Sequence, residues 1–147
     1  MKVCHERKIL GGLLAAGSSE RMGKTNKLLC HVGGSTIIRR IATQMIKSDL
    51  DECFAVIGYQ SYDIMKELEG LPIKLIRNKL WSRGQGYSIS ELVTHIVSYN
   101  CDFMVVLGDL PGLRKSHINQ IINSHKSLRN SKEAITIPEY KGKKGNP

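Results

Sequence analysis

The chain has 147 residues, enough for one domain with a buried core and too few for two such domains. No apolar run approaches the ~20 residues of a membrane span, and residues 1–8 lack the apolar region of a signal peptide, so we expect a cytoplasmic protein without membrane contact. The net charge of +9 is spread along the chain without an aromatic-interleaved RNA-binding motif, which favours a small polyanionic ligand over nucleic acid.

The apolar pattern predicts strands that alternate with helices. In chain order, the predicted elements are a strand over residues 8–15, a helix over 36–47 with Ser35 as its N-cap, a strand over 54–57, a helix over 62–69, a strand over 73–76, a helix over about 87–99, a strand over 103–107, a helix over about 115–128 and a last strand over 134–137. The strand over 103–107 is continuously apolar, so we expect it near the centre of the sheet. The alternation predicts an α/β fold in which helices cover both faces of a mostly parallel sheet, as one domain over residues 1–147.

The loop after the first predicted strand has the chemistry of a phosphate site, and parallel sheets bind ligands beyond the carboxyl ends of their strands. Its first residues are small or apolar: Leu14, Ala15, Ala16, Gly17 and Ser18. Small side chains let backbone N–H groups approach an anion closely. Arg21 and Lys27 follow, and they would supply the positive charge that a polyphosphate requires.

Two familiar nucleotide-binding loops fit this stretch poorly. A Walker loop has four residues between its first glycine and its Gly-Lys-Thr, whereas Gly17 and Gly23-Lys24-Thr25 enclose five. Gly33-Gly34 also leaves room for at most about two helical turns after the loop, where a Walker loop opens a long helix. The dinucleotide fingerprint G-x-G-x-x-G is absent here. A P-loop NTPase that depends on Lys24 and Thr25 stays an alternative, and a Rossmann dehydrogenase is disfavoured further.

A carboxylate follows the apolar strand over residues 103–107. In Gly108-Asp109-Leu110-Pro111 the proline fixes the turn that places Asp109 at the end of the strand. Opposite a bound triphosphate, Asp109 would hold Mg²⁺. An Asp that only caps the following turn would have the same sequence.

The polar stretch over residues 78–88 is the third candidate for ligand contact. Gly84 and Gly86 would admit a base or ribose close to the backbone, and Ser88 is a candidate donor at the start of the following helix. A structural turn with Ser88 as N-cap explains the same residues. Trp81 could cover a flat ligand or close the core, and the sequence leaves both open.

The cysteines and histidines form no recognisable metal site. The four cysteines are scattered without a C-x-x-C pair, which favours reduced, mostly buried thiols over zinc or disulfides. His117 and His125 share a predicted helix but lack a third ligand, so we expect surface or helix-packing roles for them.

The first loop resembles the opening signature of the MobA-like nucleotidyltransferases, typified by the molybdenum cofactor cytidylyl- and guanylyltransferases. The similarity runs without a gap over Leu14-Ala15-Ala16-Gly17-x-x-x-Arg21-Met22-Gly23-x-x-Asn26-Lys27-Leu28-Leu29. The Leu-Ala-Ala-Gly form is closer to the cytidylyltransferase branch. The segment Asn78-x-x-Trp81-x-x-Gly84-Gln85-Gly86-x-Ser88-Ile89 and the Asp-Leu-Pro at 109–111 resemble two further blocks of that family.

The resemblance implies a Rossmann-like three-layer sandwich of the nucleotide-diphospho-sugar transferase type. It also implies transfer of a nucleotidyl group, from CTP rather than GTP, to a phosphate acceptor such as molybdopterin, with release of pyrophosphate. The residues implicated are Arg21 and Lys27 as catalytic cations, Asp109 as the Mg²⁺ ligand, and Leu14, Ala15, Ala16, Gly17, Ser18, Asn78, Gly84 and Ser88 as nucleotide contacts. A molybdoenzyme is the expected protein partner.

The C-terminal residues depart from the family pattern. Gly145-Asn146-Pro147 matches the start of a Gly-His-Pro block with Asn in place of His, and the chain then stops where family members continue for about fifty residues. We therefore expect a domain that lacks the family's C-terminal part. A catalytically weak nucleotide-binding or cofactor-maturation accessory protein is the main alternative, and a basic RNA-binding module with steep salt dependence is another.

Overall fold

The computed structural model describes residues 7–18, 25–128 and 134–145. In chain order, its elements are β1 (Lys8–Ala15), β2 (His31–Val32), β3 (Ser35–Thr36), α1 (Ile37–Ile46), β4 (Glu52–Ile57), α2 (Ser61–Leu68), β5 (Lys74–Arg77), α3 (Gln85–Ile96), β6 (Cys101–Leu107), α4 (Lys115–Ser127), β7 (Glu139–Tyr140) and β8 (Lys143–Lys144). Two single-turn 3-10 helices, Lys27–Leu29 and Trp81–Arg83, lie in the loops after β1 and β5. None of the helices in these ranges is long and apolar enough to cross a membrane.

Four parallel strands form the central sheet in the order β5-β4-β1-β6. The first predicted strand is confirmed with the predicted bounds. It is an inner strand because it pairs with β4 on one side and β6 on the other, and every residue after Lys8 is buried. Gly12 in β1 makes room for α3, since a Cβ at Gly12 would lie 2.1 Å from a methyl of Leu92.

The expected central position of the strand over residues 103–107 is wrong. Within the described residues, β6 pairs with β1 alone and forms an edge of the sheet. Its apolar sequence reflects packing on both of its faces: Val106 joins the core beneath α1 and α4, while Val105 packs beside α3. The unbroken apolar run therefore indicates side-chain packing on both faces of the strand and not its place in the sheet. Only Val106 of β6 is buried, and Phe103 is 45% exposed.

The core is divided into two layers by the sheet. Ile9 and Leu13 of β1 belong to a cluster with residues of α1, α2 and α4. Leu10 and Leu14 belong to a second cluster with residues of α3. Because alternate side chains of a strand point to opposite faces, β1 contributes to both clusters. This confirms the three-layer, Rossmann-like arrangement.

Two predicted helix starts need correction. The N-cap of α1 is Thr36, whose hydroxyl accepts a hydrogen bond from the Arg39 backbone N–H at 3.4 Å, and not Ser35, which pairs with Val32 in the β2–β3 hairpin. Helix α3 starts at Gln85, two residues before the predicted start, because Gly84 adopts a φ of +109° and turns the chain into the helix.

The predicted strand over residues 134–137 is wrong, since residues 134–138 are irregular. Thr136 Oγ1 lies 3.0 Å from His125 Nδ1, and His125 Nε2 lies 3.4 Å from Asp102 Oδ2. A mainly apolar cavity of about 460 Å³ is lined by this segment, β6 and α4. Residues 134–137 have the composition of a strand but belong to no sheet among the described residues.

Candidate active site

A cleft of about 460 Å³ lies at the carboxyl ends of the central strands. Three loops form it, those that follow β1, β5 and β6. Its lining residues are Leu14, Ala16, Gly17, Ser18, Leu28, Trp81, Ser82, Gly84, Gln85, Ser88, Leu107, Gly108 and Asp109. Its volume lies in the range of small-molecule binding sites, about 300–1,000 Å³.

Backbone hydrogen bonds hold these loops together. The Gly108 N–H donates to the Leu14 carbonyl at 3.0 Å, which joins the end of β6 to the end of β1. The Tyr59 N–H donates to the Ala16 carbonyl at 3.1 Å and ties the loop after β4 to the same segment. A Cβ at Gly108 would lie 2.6 Å from the Leu14 carbonyl oxygen, so only glycine permits this approach. The backbone thus fixes where Asp109 leaves β6.

Lys27 and Asp109 form an ion pair in the cleft region. Lys27 Nζ lies 3.7 Å from Asp109 Oδ2, and the two side chains are 40% and 52% exposed. Lys27 begins a single-turn 3-10 helix whose N-cap is Asn26. Asn26 is 3% exposed, and its Oδ1 accepts a hydrogen bond from the Leu28 N–H at 3.1 Å. A buried cap therefore holds the backbone from which Lys27 reaches Asp109.

The Asn26 side chain also carries an unsatisfied donor. Its Nδ2 atom is buried and has no hydrogen-bond partner in the part of the chain that the structure describes. Buried polar groups of this kind usually have a partner, and leaving one unpaired costs about 1–3 kcal/mol.

A single carboxylate stands where a magnesium ligand was predicted. Among residues 7–18, 25–128 and 134–145 no group of three or more His, Cys, Asp or Glu side chains comes together. Mg²⁺ in nucleotide sites commonly uses only one or two protein carboxylates, and phosphate oxygens and water complete its octahedral shell. Asp109 is half-exposed and lies beside the loop that follows β1, so its surroundings fit this mode of binding.

Asn78 is a positioning residue within the third loop. It is 2% exposed and does not line the cleft. Its Nδ2 donates to Ser88 Oγ at 3.1 Å, and its Oδ1 accepts from the Leu80 N–H at 2.8 Å. Ser88 is 4% exposed and follows the first three residues of α3, so its interpretation as the N-cap is wrong; that position is Gly84. The Asn78–Ser88 bond ties the start of the loop to α3.

Trp81 is the largest side chain in the wall of the cleft. Its ring lies 5.3 Å from the ring of Tyr59 at an interplanar angle of 54°. Gly58 allows this packing, because a Cβ there would lie 2.4 Å from the Trp81 Cβ. Ser82, Gln85, Leu28 and Leu107 also line the cleft and were not predicted. Their only sequence signal is adjacency to predicted residues.

The predicted site residues divide into four groups. Those that line the cleft are Leu14, Ala16, Gly17, Ser18, Gly84, Ser88 and Asp109. Ala15 instead faces the core beneath α1, and Asn78 acts from behind the wall. Lys27 reaches the cleft through Asp109. Arg21, predicted as the second catalytic cation, lies outside the described residues. Ligand contact by any of them stays a prediction.

The first loop does not lead into a long helix. After Thr25 and Asn26 the chain forms only the single turn Lys27–Leu29, followed by the β2–β3 hairpin. A Walker loop is followed directly by a long helix. The prediction that at most about two helical turns follow the loop is confirmed. A P-loop NTPase, which needs a long helix at this place, is therefore disfavoured.

Known proteins resemble this chain in sequence or in fold. The bifunctional protein GlmU of Trichormus variabilis is 26% identical over 137 residues, which cover 91% of this chain and 30% of that protein. Rv0371c from Mycobacterium tuberculosis superposes with a TM-score of 0.71 at 19% identity over 82% of this chain and 61% of that one. Its manganese complex superposes with a TM-score of 0.64 at 18% identity over 82% of this chain and 60% of that one.

A third protein has the same fold. The 4-diphosphocytidyl-2C-methyl-D-erythritol synthase of Anaerococcus prevotii superposes with a TM-score of 0.66 at 21% identity over 82% of this chain and 51% of that one.

The chain spans about a third of the length of the curated relatives it matches. The sequence model of the MobA-like NTP transferase domain matches residues 11–147, from within β1 to the last residue. The chain therefore belongs to the MobA-like NTP transferase domain family.

Proposed function

We propose that the chain is a nucleotidyltransferase domain that moves CMP from CTP to a phosphate acceptor such as molybdopterin and releases pyrophosphate. One observation carries this proposal: Lys27 of the first loop and Asp109 after β6 meet at 3.7 Å beside the cleft. An ammonium group and a metal-binding carboxylate at the same cleft are the charges that a triphosphate bound with Mg²⁺ requires.

The reaction needs no nucleophile from the protein. An oxygen of the acceptor phosphate attacks the α-phosphorus of CTP and forms a P–O bond. The bond from the α-phosphorus to the oxygen bridging it to the β-phosphate breaks, and its electron pair leaves with pyrophosphate. The protein's contribution is to align the reactants and to stabilise charge.

The residues of the chain divide this work. Backbone N–H groups of the loop over residues 15–18 would bind phosphate oxygens, and Lys27 and Arg21 would offset the negative charge that builds up during attack. Asp109 would hold Mg²⁺, which when bound neutralises charge on the phosphates. Asn78 would keep the loop around Gly84 in place for the ribose and base.

CTP is favoured over GTP by the Leu-Ala-Ala-Gly form of the first loop. A cytidyl nucleotide also appears in the name of a structural neighbour, the synthase from Anaerococcus prevotii. Molybdopterin as the acceptor is proposed from the resemblance of the sequence motifs alone, because neither GlmU nor that synthase carries molybdopterin in its name. With molybdopterin as the acceptor, the protein partner would be a molybdoenzyme.

Calorimetric titration with CTP, GTP and ATP in the presence of Mg²⁺ tests the site. We expect CTP to bind best, and Lys27→Ala and Asp109→Ala each to weaken its binding about tenfold, since each removes a charged contact. Lys115→Ala removes an exposed cation at the start of α4 and serves as the control. Normal CTP binding by both site variants would overturn the site assignment.

A pyrophosphate-release assay with CTP and molybdopterin then separates transfer from binding. Pyrophosphate release by the wild type, together with its loss in Lys27→Ala, would support nucleotidyl transfer. Tight, specific CTP binding without release under any acceptor would instead identify the accessory protein that binds a nucleotide without turnover.

A further inference from the structure

Trp81 occupies the side of the cleft opposite the ion pair. It follows β5, and it packs against Gly58 and Tyr59, which follow β4. Asp109 follows β6 at the other end of the sheet order, with β1 and its loop between them. A triphosphate held near Lys27 and Asp109 would thus extend its nucleoside across the first loop toward Trp81.

The Trp81 side chain is held firmly. The missing Cβ of Gly58 leaves room for the Trp81 Cβ and Cγ, and the Tyr59 ring supports the indole from one side. The Trp81 carbonyl accepts the Gly84 N–H at 3.3 Å, which closes the turn below it. An aromatic surface that is already fixed in place loses little conformational entropy when a ligand packs on it.

The indole is partly packed and partly open to the cleft. Trp81 is half-buried and packs against the apolar cluster that includes Leu10 and Leu92. The same residue forms part of the wall of the cleft, next to Ser82, Gly84 and Gln85. A half-buried indole can present both an apolar ring and a polar N–H to a ligand.

We propose that Trp81 binds the nucleobase of the nucleoside triphosphate and thereby sets its position relative to Lys27 and Asp109. The inference rests on the proposed function, and it adds a specificity-determining residue to that site. A purine or pyrimidine ring is the flat, polar group that such an indole recognises, by stacking on its face or by a hydrogen bond to its N–H.

Trp81 is the only tryptophan of the chain, so its fluorescence reports on this position alone. We expect CTP with Mg²⁺ to quench the emission of the full chain when the indole is excited at the red edge of its absorption band. Inorganic tripolyphosphate with Mg²⁺ occupies the phosphate end without a base, and we expect it to bind without this quenching. CTP that binds by calorimetry but leaves the emission unchanged would overturn the inference while leaving the proposed function intact.

Calorimetry on variants supplies a second test that does not depend on fluorescence. We expect Trp81→Leu to weaken CTP binding about tenfold, the effect of losing one base–aromatic stack, and to leave tripolyphosphate binding unchanged. Trp81→Phe retains a ring and should keep most of the CTP affinity. An equal loss for both ligands in Trp81→Leu would show a disturbed loop and overturn the inference. A wild type that binds tripolyphosphate but no CTP, GTP or ATP would overturn both the inference and the proposed function.

Discussion

Lys27 Nζ lies 3.7 Å from Asp109 Oδ2, although the two residues belong to loops that follow different strands of the sheet. The pair is 40% and 52% exposed, and exposed ion pairs contribute about 0.2–1 kcal/mol to folding. We therefore expect Lys27→Met and Asp109→Asn each to change the free energy of unfolding in urea by less than about 1 kcal/mol. A larger loss in the absence of nucleotide would mean that the pair serves the fold and not a ligand.

Gly108→Ala should destabilise the protein and disturb the site together. The new Cβ would lie 2.6 Å from the Leu14 carbonyl oxygen, and this backbone atom cannot move aside as a flexible side chain could. We expect a loss of about 1–3 kcal/mol in urea denaturation, as for other overpacked positions. Gly112→Ala is the matched control, because a Cβ at Gly112 would meet nothing within 4 Å. Equal stability of the two variants would contradict the proposed steric role of Gly108.

The Asn78–Ser88 hydrogen bond is open to a double-mutant cycle. Asn78→Ala removes the acceptor of the part-buried Leu80 N–H as well as the buried donor to Ser88, so we expect a loss of about 1–3 kcal/mol in thermal or urea unfolding. Ser88→Ala should cost less because it removes only one bond. The double variant should fall short of the sum of the two losses. Full additivity would show that the two side chains do not interact in solution.

Cys53 should make stability depend on pH in the alkaline range. Burial raises the pKa of its thiol to about 11 from an ordinary value of 9.0, because the thiolate would lose its hydration. The folded state thus holds this proton more tightly than the unfolded state. The raised pKa of the thiol therefore contributes on the order of 2 kcal/mol to the free energy of unfolding. This contribution is complete below about pH 9 and is lost as the pH rises toward 11.

Urea denaturation of wild type and Cys53→Ala over this pH range checks the effect of the thiol. The difference in unfolding free energy between the two proteins should shrink as the pH rises, because only the wild type carries the thiol. A difference that stays constant with pH would show that Cys53 ionises equally easily in both states.

The exposed edge of β6 should promote self-association. Edge strands that stay monomeric usually carry several charges, prolines or bulges, whereas Asp102 is the one charged residue among the seven of β6, and Phe103 is 45% exposed. We expect light scattering to detect larger species as the protein concentration rises, and Phe103→Lys to reduce them. Val97→Lys introduces the same charge just after α3, at a side chain that is 76% exposed. It should reduce the larger species less than Phe103→Lys does.

The sequence was informative where one local property decided the outcome. The bounds of β1 follow from an unbroken apolar run, and Asp109 was placed correctly at the end of a strand because Pro111 limits where the strand can continue. The edge position of β6 was missed because an apolar strand records what covers its faces and not which strands lie beside it. The hydrogen bond between Asn78 and Ser88 was missed because it joins residues ten positions apart and depends on the path of the loop between them, in which Gly84 has a positive φ.

Three backbone hydrogen bonds hold the rim of the cleft: Gly108 to Leu14, Tyr59 to Ala16, and Asn78 to Ile57. None of them uses a side chain that faces the ligand space. Under the proposed function, substitutions at cleft-lining residues such as Ser82 and Gln85 should therefore change which nucleotide or acceptor fits while this rim stays in register. The domain would then be a suitable framework for the laboratory redesign of substrate preference.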